Sequence, residues 1–133
     1  MSETAKKVLV ADDERTLLQL VAFNLRMEGY EVITAEDGKE ALTKIREEHP
    51  DVVVLDVMMP HLDGFDVLRE LRADPETQDL PVIMLTALSQ DEHVLKGWEY
   101  GVDCYLTKPF NPIELLSMVK RLTTLEEDSV ASL

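Results

Sequence analysis

Short apolar runs alternate with helical periodicities along almost the whole chain. The apolar runs predict five strands, at Lys7 to Ala11, Tyr30 to Ala35, Asp51 to Asp56, Pro81 to Thr86 and Cys104 to Thr107. Apolar residues spaced by three and four predict five helices, at Glu14 to Glu28, Asp37 to Glu48, Gly64 to Ala73, Asp91 to Tyr100 and Pro112 to about Thr123. Strands that alternate with helices are typical of βαβ units, so the pattern predicts an α/β domain with a parallel sheet.

Polar residues stand at the carboxyl ends of four of these strands. The first apolar run ends in Asp12 and Asp13, the third in Asp56, the fourth in Thr86, and Lys108 follows the fifth. Parallel strands place their carboxyl ends at one edge of the sheet, and ligands of open α/β sheets bind at that edge. The sequence therefore predicts that three acids, a hydroxyl and an ammonium gather in one cleft.

The length and composition predict a single globular domain. The 133 residues include 45% hydrophobic and 30% charged residues, which is enough to bury a hydrophobic core. We assign residues 1–125 to this domain and residues 126–133 to a short acidic tail that is expected to be frayed. The chain has no apolar run of membrane-spanning length and no signal pattern before the first strand. A membrane is therefore not expected as a partner.

Charge and cysteine usage narrow the expected partners. The formal net charge is −14, from 27 acidic and 13 basic residues. This charge opposes direct binding to nucleic acid and favours a divalent cation or a basic protein surface. A single cysteine rules out an internal disulfide, which fits a cytoplasmic protein.

The three acids predict a metal site. Carboxylates that lie close together repel one another unless a cation intervenes, and Mg²⁺ commonly binds one or two carboxylates together with waters and phosphate. A carboxylate beside Mg²⁺ can attack phosphorus and form an aspartyl-phosphate. Lys108 and Thr86 would then bind phosphoryl oxygens. Taken singly, each residue has a simpler explanation: Asp13 as a helix N-cap, Thr86 as a structural hydroxyl and Lys108 as a solvated cation.

Four motifs in this order and spacing resemble the receiver domain of two-component response regulators, from about residue 6 to residue 123. The motifs are Val10-Ala11-Asp12-Asp13-Glu14, Leu55-Asp56-Val57-Met58-Met59-Pro60 with Asp63-Gly64, Met84-Leu85-Thr86-Ala87 and Tyr105-Leu106-Thr107-Lys108-Pro109-Phe110. The resemblance implies a doubly wound, flavodoxin-like fold with five parallel strands in the order 2-1-3-4-5 and five helices. It also implies a phosphorylation-controlled signalling switch rather than an enzyme with a separate substrate.

Carried over by position, Asp56 resembles the phosphoacceptor. Asp12, Asp13 and Asp56 resemble the metal-binding acids, and Met58 would add its backbone carbonyl as a ligand. The implied cofactor is Mg²⁺. The implied partners are a sensor histidine kinase or a histidine phosphotransfer protein, which donates the phosphoryl group, and a downstream protein. A homodimer formed on phosphorylation is a further option.

The resemblance also implies how the signal leaves the site. Thr86 and Lys108 resemble the phosphate-sensing pair, and Tyr105 the aromatic residue that moves with them toward the face formed by helix 4, strand 5 and helix 5. The Lys108–Pro109 bond is expected to be cis. DNA-binding relatives often pair through a charged network on this face. Here Trp98, Ile113 and Met118 make it rather apolar, so that network is not expected.

Three alternatives remain open from the residues alone. One is a hydrolase or phosphatase that works through an aspartyl-phosphate, although the length leaves no room for a substrate-binding cap. Another is an interaction module with a vestigial site. A flavin-binding protein of similar topology is the third, although the turn from Ala11 to Glu14 is acidic and lacks a phosphate-binding glycine or serine loop. Met58 and Leu88, which flank the approach of water in the resembled family, predict slow dephosphorylation.

Overall fold

The strands and helices lie close to the positions that the apolar pattern predicts. The computed structural model describes residues 5–87 and 97–131, with side chains as far as residue 124. The strands are β1 (Lys7–Ala11), β2 (Glu31–Ala35), β3 (Val52–Asp56), β4 (Val82–Thr86) and β5 (Cys104–Thr107). The helices are α1 (Arg15–Met27), α2 (Gly38–Glu48), α3 (Gly64–Ala73), α4 (the helical residues 97–99) and α5 (Pro112–Ala131).

Two predicted helix boundaries do not coincide with the structure that is described. Most of the helix predicted at Asp91 to Tyr100 lies outside the described residues. The prediction that α5 ends at about Thr123 is wrong, because the helix continues to Ala131. No glycine or proline follows Thr123 to interrupt it, and its glutamates are good helix formers. The division between domain and tail after residue 125 stays a prediction.

The five strands form one parallel sheet in the order β2-β1-β3-β4-β5, which confirms the predicted topology. The inner strands β3 and β4 are buried along their whole length, whereas the edge strand β2 has one exposed and two partly buried positions. The chain runs from β1 to β2 on one side of β1, and then from β2 to β3 on the other side of β1. The crevice between the carboxyl ends of β1 and β3 is therefore the topological switch point, where such sheets bind ligands.

Side chains alternate between the two faces of the sheet along each strand, which divides the core into two layers. Leu9 and Leu55 face one side of the sheet and pack with residues of α2 and α3, whereas Val10 and Val54 face the other side and pack with residues of α1 and α5. Both faces are thus covered by helices, as the continuous apolar runs predict.

No helix in the described ranges combines the length and apolar composition needed to span a bilayer.

Candidate functional site

The structure brings the predicted site residues together at the carboxyl edge of the sheet. Asp12, Asp13 and Asp56 each offer a carboxylate oxygen within 4.8 Å of the other two. The Lys108 ammonium nitrogen lies 2.9 Å from Asp12 Oδ2 and 3.2 Å from Asp56 Oδ2. Asp12 and Asp56 are only 1% and 5% exposed, whereas Asp13 is exposed to solvent. The cluster therefore has a buried floor and one accessible acid at its rim.

Backbone contacts at the end of β1 orient Asp12, the first of the three acids. The Asp12 amide donates to the Ala35 carbonyl at 3.1 Å, and Asp12 Oδ1 accepts from the Glu14 amide at 2.9 Å. The residue that caps α1 is Glu14, whose side chain makes no capping hydrogen bond to the described residues. Helix capping is thus not the role of Asp13, which leaves its carboxylate available to the cleft.

The position of Asp56 depends on a close approach between two backbones. A Cβ at Gly64, the first residue of α3, would lie 2.5 Å from the Asp56 carbonyl oxygen and 3.0 Å from Val57 Cα. The Gly64 amide also donates to the Val57 carbonyl at 2.9 Å. Only glycine permits this approach. The motif Asp63-Gly64 contains the signal for it, but the sequence alone does not show which backbone the glycine meets.

Lys108 is aimed into the cleft by the continuation of the β4–β5 ladder. Its amide donates to the Thr86 carbonyl at 2.7 Å, and the Lys108–Pro109 bond is cis as expected. Burial alone would lower the pKa of the Lys108 ammonium, but the carboxylates of Asp12 and Asp56 outweigh burial and raise it. Lys108 is therefore a permanent cation between two acids.

Burial, followed by the nearby Asp12 charge, raises the pKa of Asp56 from 3.8 to about 6, although Lys108 opposes the shift. Asp12 Oδ2 is buried and accepts no well-directed hydrogen bond within the described part of the chain, despite the nearby ammonium. Three carboxylates whose oxygens lie within 4.8 Å of one another, two of them buried, suit a hard divalent cation with oxygen ligands. The donor set thus fits Mg²⁺.

Thr86 and Tyr105 lie on neighbouring strands and face the same side of the sheet. Tyr105 is paired with Met84, and Thr86 lies two residues beyond Met84 on β4. Thr86 is buried and Tyr105 is half-buried against the core layer that includes Met84. The structure therefore places the proposed sensing residue and the proposed switch residue on the same face of adjacent strands, two residues apart in register.

The other candidates are Met58, Leu88 and the residues of the predicted output face. The Met58 side chain is 67% exposed, and its amide lies 3.4 Å from Asp56 Oδ1, while the metal-binding role of its carbonyl stays a prediction. Leu88 lies outside the described residues. On the predicted output face, Trp98 and Ile113 are exposed and Met118 is half-buried, but α5 also exposes Glu114, Lys120 and Arg121, so the expectation of a rather apolar face stays a prediction.

Comparison with known proteins identifies the class. The model of the family "Response regulator receiver domain" matches residues 8–120, and the chain belongs to this family. Receiver domains are signalling domains that interact with histidine kinases or phosphotransfer proteins, and they generally bind Mg²⁺ at an acidic pocket. The family therefore agrees with the fold and with the acid cluster.

The most similar sequences include longer regulators. The chain is 47% identical over 132 residues to "Probable transcriptional regulator ycf27" of Cyanophora paradoxa, covering 99% of this chain and 54% of that protein. It is 45% identical over 127 residues to the alkaline phosphatase synthesis transcriptional regulatory protein PhoP of Bacillus subtilis, covering 96% and 52%. The chain thus spans about half the length of these curated relatives. Both relatives are named as transcriptional regulators, so the expectation that this protein does not bind nucleic acid directly is not supported.

Solved structures show the same fold. The chemotaxis protein CheY4 of Vibrio cholerae superposes with a TM-score of 0.85 at 38% identity, covering 90% of this chain and 99% of that chain. The response regulator DrrB of Thermotoga maritima superposes with a TM-score of 0.83 at 41% identity, covering 92% and 54%. The fold therefore occurs both as nearly the whole of a protein and as about half of a longer one.

Proposed function

We propose that this chain is a phosphorylation-controlled switch in which Asp56 accepts a phosphoryl group from a sensor histidine kinase or a histidine phosphotransfer protein. The observation that carries the proposal is the position of Lys108, whose ammonium lies 3.2 Å from a buried Asp56 in a cleft with two further acids. An anion that enters this cleft meets a cation and a nucleophile at once. The proposed location is the cytoplasm.

Asp12, Asp13 and Asp56 would hold Mg²⁺, with the Met58 carbonyl as a further ligand. When bound, Mg²⁺ neutralises the crowded carboxylates and lowers the barrier to the approach of a phosphoryl anion. The closeness of three carboxylates, two of them buried, supports this assignment, because like charges at this distance repel one another unless a cation lies between them.

Phosphotransfer is a displacement at phosphorus. An Asp56 carboxylate oxygen forms the new bond as the bond from phosphorus to the donor's imidazole nitrogen breaks, and the electron pair leaves with that nitrogen. Lys108 exchanges its contact with Asp56 for one with a phosphoryl oxygen, while its pairing with Asp12 keeps it in place. The Thr86 hydroxyl, at the end of the neighbouring strand, binds another phosphoryl oxygen.

The signal would leave the site through Thr86 and Tyr105. A displacement of Thr86 toward the phosphoryl group changes the space next to Tyr105, because both residues face the same side of adjacent strands. This requires two conformations of similar free energy that phosphorylation biases. The proposed output is a change in the α4–β5–α5 face, read by a downstream protein or by a second copy of the chain.

The first helix offers a docking surface for the phosphodonor. Leu20, Phe23 and Met27 form an exposed apolar stripe on α1, which starts two residues after Asp13. In a chain of net charge −14, the sequence of α1 contains no acidic residue and two arginines. A donor helix with apolar and acidic residues would therefore meet little electrostatic repulsion here.

Direct labelling tests the proposal against the alternatives. Acetyl phosphate with Mg²⁺ should add one phosphoryl group to the intact chain, as measured by mass spectrometry. Asp56→Asn should take up none, and a chelator should prevent labelling of the wild type. Equal labelling of the Asn variant would refute the assignment of Asp56. A hydrolase would instead turn over an added phosphate ester without accumulating a modified chain.

A further inference from the structure

Tyr105 and Gly97 make an unusually close contact between β5 and α4. A Cβ built at Gly97 would overlap the Tyr105 hydroxyl oxygen, and it would lie 2.7 Å from Tyr105 Cζ and 3.1 Å from Cε1 of Phe65 in α3. Gly97 itself is buried, and its carbonyl accepts from the Val102 amide at 3.0 Å. The tip of the tyrosine ring therefore occupies the space that a side chain at residue 97 would need.

Trp98, the next residue, packs against the same tyrosine ring. The Trp98 and Tyr105 centroids are 5.6 Å apart with an interplanar angle of 76°, which is the edge-to-face arrangement that aromatic rings favour. Trp98 is 51% exposed, so part of its ring is available to solvent or to a partner. Any movement of Tyr105 must therefore change the surroundings of an exposed tryptophan.

Backbone geometry does not explain the glycine at this position. Residues 97–99 are helical, and Gly97 lacks the positive φ of Gly29 and Gly101. In a helix with ordinary dihedral angles, alanine is more favourable than glycine. The absence of a side chain at Gly97 is therefore explained by the space it leaves for Tyr105.

We propose that Gly97 is a steric socket for Tyr105, and that its bare Cα permits the ring position by which β5 controls Trp98 on the surface of α4. With any side chain at residue 97, the ring is displaced and Trp98 no longer follows it. The functional consequence rests on the proposed relay from Asp56, whereas the socket itself exists without phosphorylation. The two parts can be tested separately.

A double-mutant cycle without any phosphoryl donor tests the socket. The variants are Gly97→Ala, Tyr105→Ala and the double variant, compared with the wild type by thermal unfolding. We expect Gly97→Ala to raise Tm in the Tyr105→Ala background, because alanine favours the helix and the obstructing ring is absent. In the presence of Tyr105, the same change should lower Tm. Equal effects in the two backgrounds would overturn the proposal.

Tryptophan fluorescence tests the coupling. Trp98 is the sole tryptophan of the sequence, so its emission reports this contact without interference from other indoles. Beryllofluoride with Mg²⁺, which mimics the phosphoryl group, should change the emission of the wild type and cause little change in Gly97→Ala. A response of wild-type size in Gly97→Ala would overturn the proposal.

Labelling with acetyl phosphate separates this proposal from the proposed function. Gly97→Ala should be phosphorylated at Asp56 to the same extent as the wild type, because the nearest atoms that its added methyl group would meet belong to Tyr105 and Phe65. If the wild type takes up no phosphoryl group, the proposed function fails, while the double-mutant cycle still decides the socket. If both proteins are labelled but the cycle is additive, the socket fails alone.

Discussion

The Lys108 ammonium lies 3.2 Å from the Asp56 carboxylate and, at 2.9 Å, still closer to Asp12. One cation is thus shared between two buried acids. Because a strand continuation holds the Lys108 backbone, the ammonium can pair with an incoming phosphoryl oxygen without a large rearrangement. The same pairing makes Lys108 important for stability as well as for chemistry.

Lys108→Met should destabilise the metal-free protein at neutral pH. The change leaves Asp12 and Asp56 facing each other without a cation, and loss of one partner of a buried ion pair costs about 3 kcal/mol. Urea denaturation in chelator at pH 7 measures the effect. As a control, Arg15→Met removes an exposed ion pair with Glu36 and should cost less than about 1 kcal/mol. Equal losses in the two variants would contradict the structural role of Lys108.

Stability without metal should fall as the pH rises through about 6. The folded chain favours protonated Asp56, whose pKa is raised from 3.8 to about 6, chiefly by burial. The folded state therefore binds more protons than the unfolded state between these values. This contribution to the free energy of unfolding is fully present below pH 3.8 and is lost as the pH rises through about 6.

Asp56→Asn removes this dependence. At pH 8 in chelator the variant should be more stable than the wild type by roughly 3 kcal/mol, and the two should converge near pH 4. Urea denaturation across this range gives the difference. Glu47→Gln, on the exposed side of α2, serves as the matched control and should not show this pattern. A difference that is independent of pH would mean that burial of the Asp56 charge is not its cause.

Mg²⁺ should stabilise the folded chain through the acid cluster. A ligand that binds only the folded state at one hundred times its Kd adds about 2.7 kcal/mol, so Tm should rise with MgCl₂ and return on chelation. Asp13→Asn should weaken this response, whereas Glu14→Gln, an exposed acid one residue further on, should retain it. A Tm that Mg²⁺ raises equally in all three proteins would place the ion elsewhere.

Thr86→Ala should separate phosphorylation from output. The variant keeps Asp56 and its acidic neighbours, so it should still be labelled by acetyl phosphate. The shifts of amide NMR signals in α4 and β5 should largely disappear, because no hydroxyl couples the phosphoryl group to Tyr105. Thr107→Ala, at the exposed position paired with Thr86, is the control and should shift as the wild type does. Full-sized shifts in Thr86→Ala would show that the signal takes another route.

The phosphoryl group should be lost comparatively slowly. Hydrolysis needs a water molecule held in line, and neither Met58 nor Leu88 can orient one by hydrogen bonding. The double change Met58→Asn with Leu88→Glu should speed decay after donor removal by about tenfold, or roughly 1.4 kcal/mol. Since Leu88 lies outside the described residues, the single change Met58→Asn isolates the exposed side chain beside Asp56. Decay at an unchanged rate in both variants would contradict control by these positions.

The apolar pattern predicted a parallel sheet of alternating strands and helices, whereas its strand order was predicted from the resemblance to receiver domains. Strands such as β3 and β4 are continuous apolar runs because both of their faces are buried, and this pattern is visible without coordinates. The end of α5 was not predicted, because helix termini without a glycine or proline have no strong local signal.

The sequence also determined which residues carry the candidate chemistry. Asp56 and Thr86 end their strands, Asp12 and Lys108 directly follow theirs, and parallel strands bring these ends to one edge of the sheet. Only the tertiary structure decided that one ammonium is shared by two buried acids, and that the pKa of Asp56 is raised to about 6. It alone brought Gly97 against the Tyr105 ring. Residue types and their order are encoded locally, whereas distances of a few ångströms and the loss of solvent depend on how the whole sheet and its helices pack.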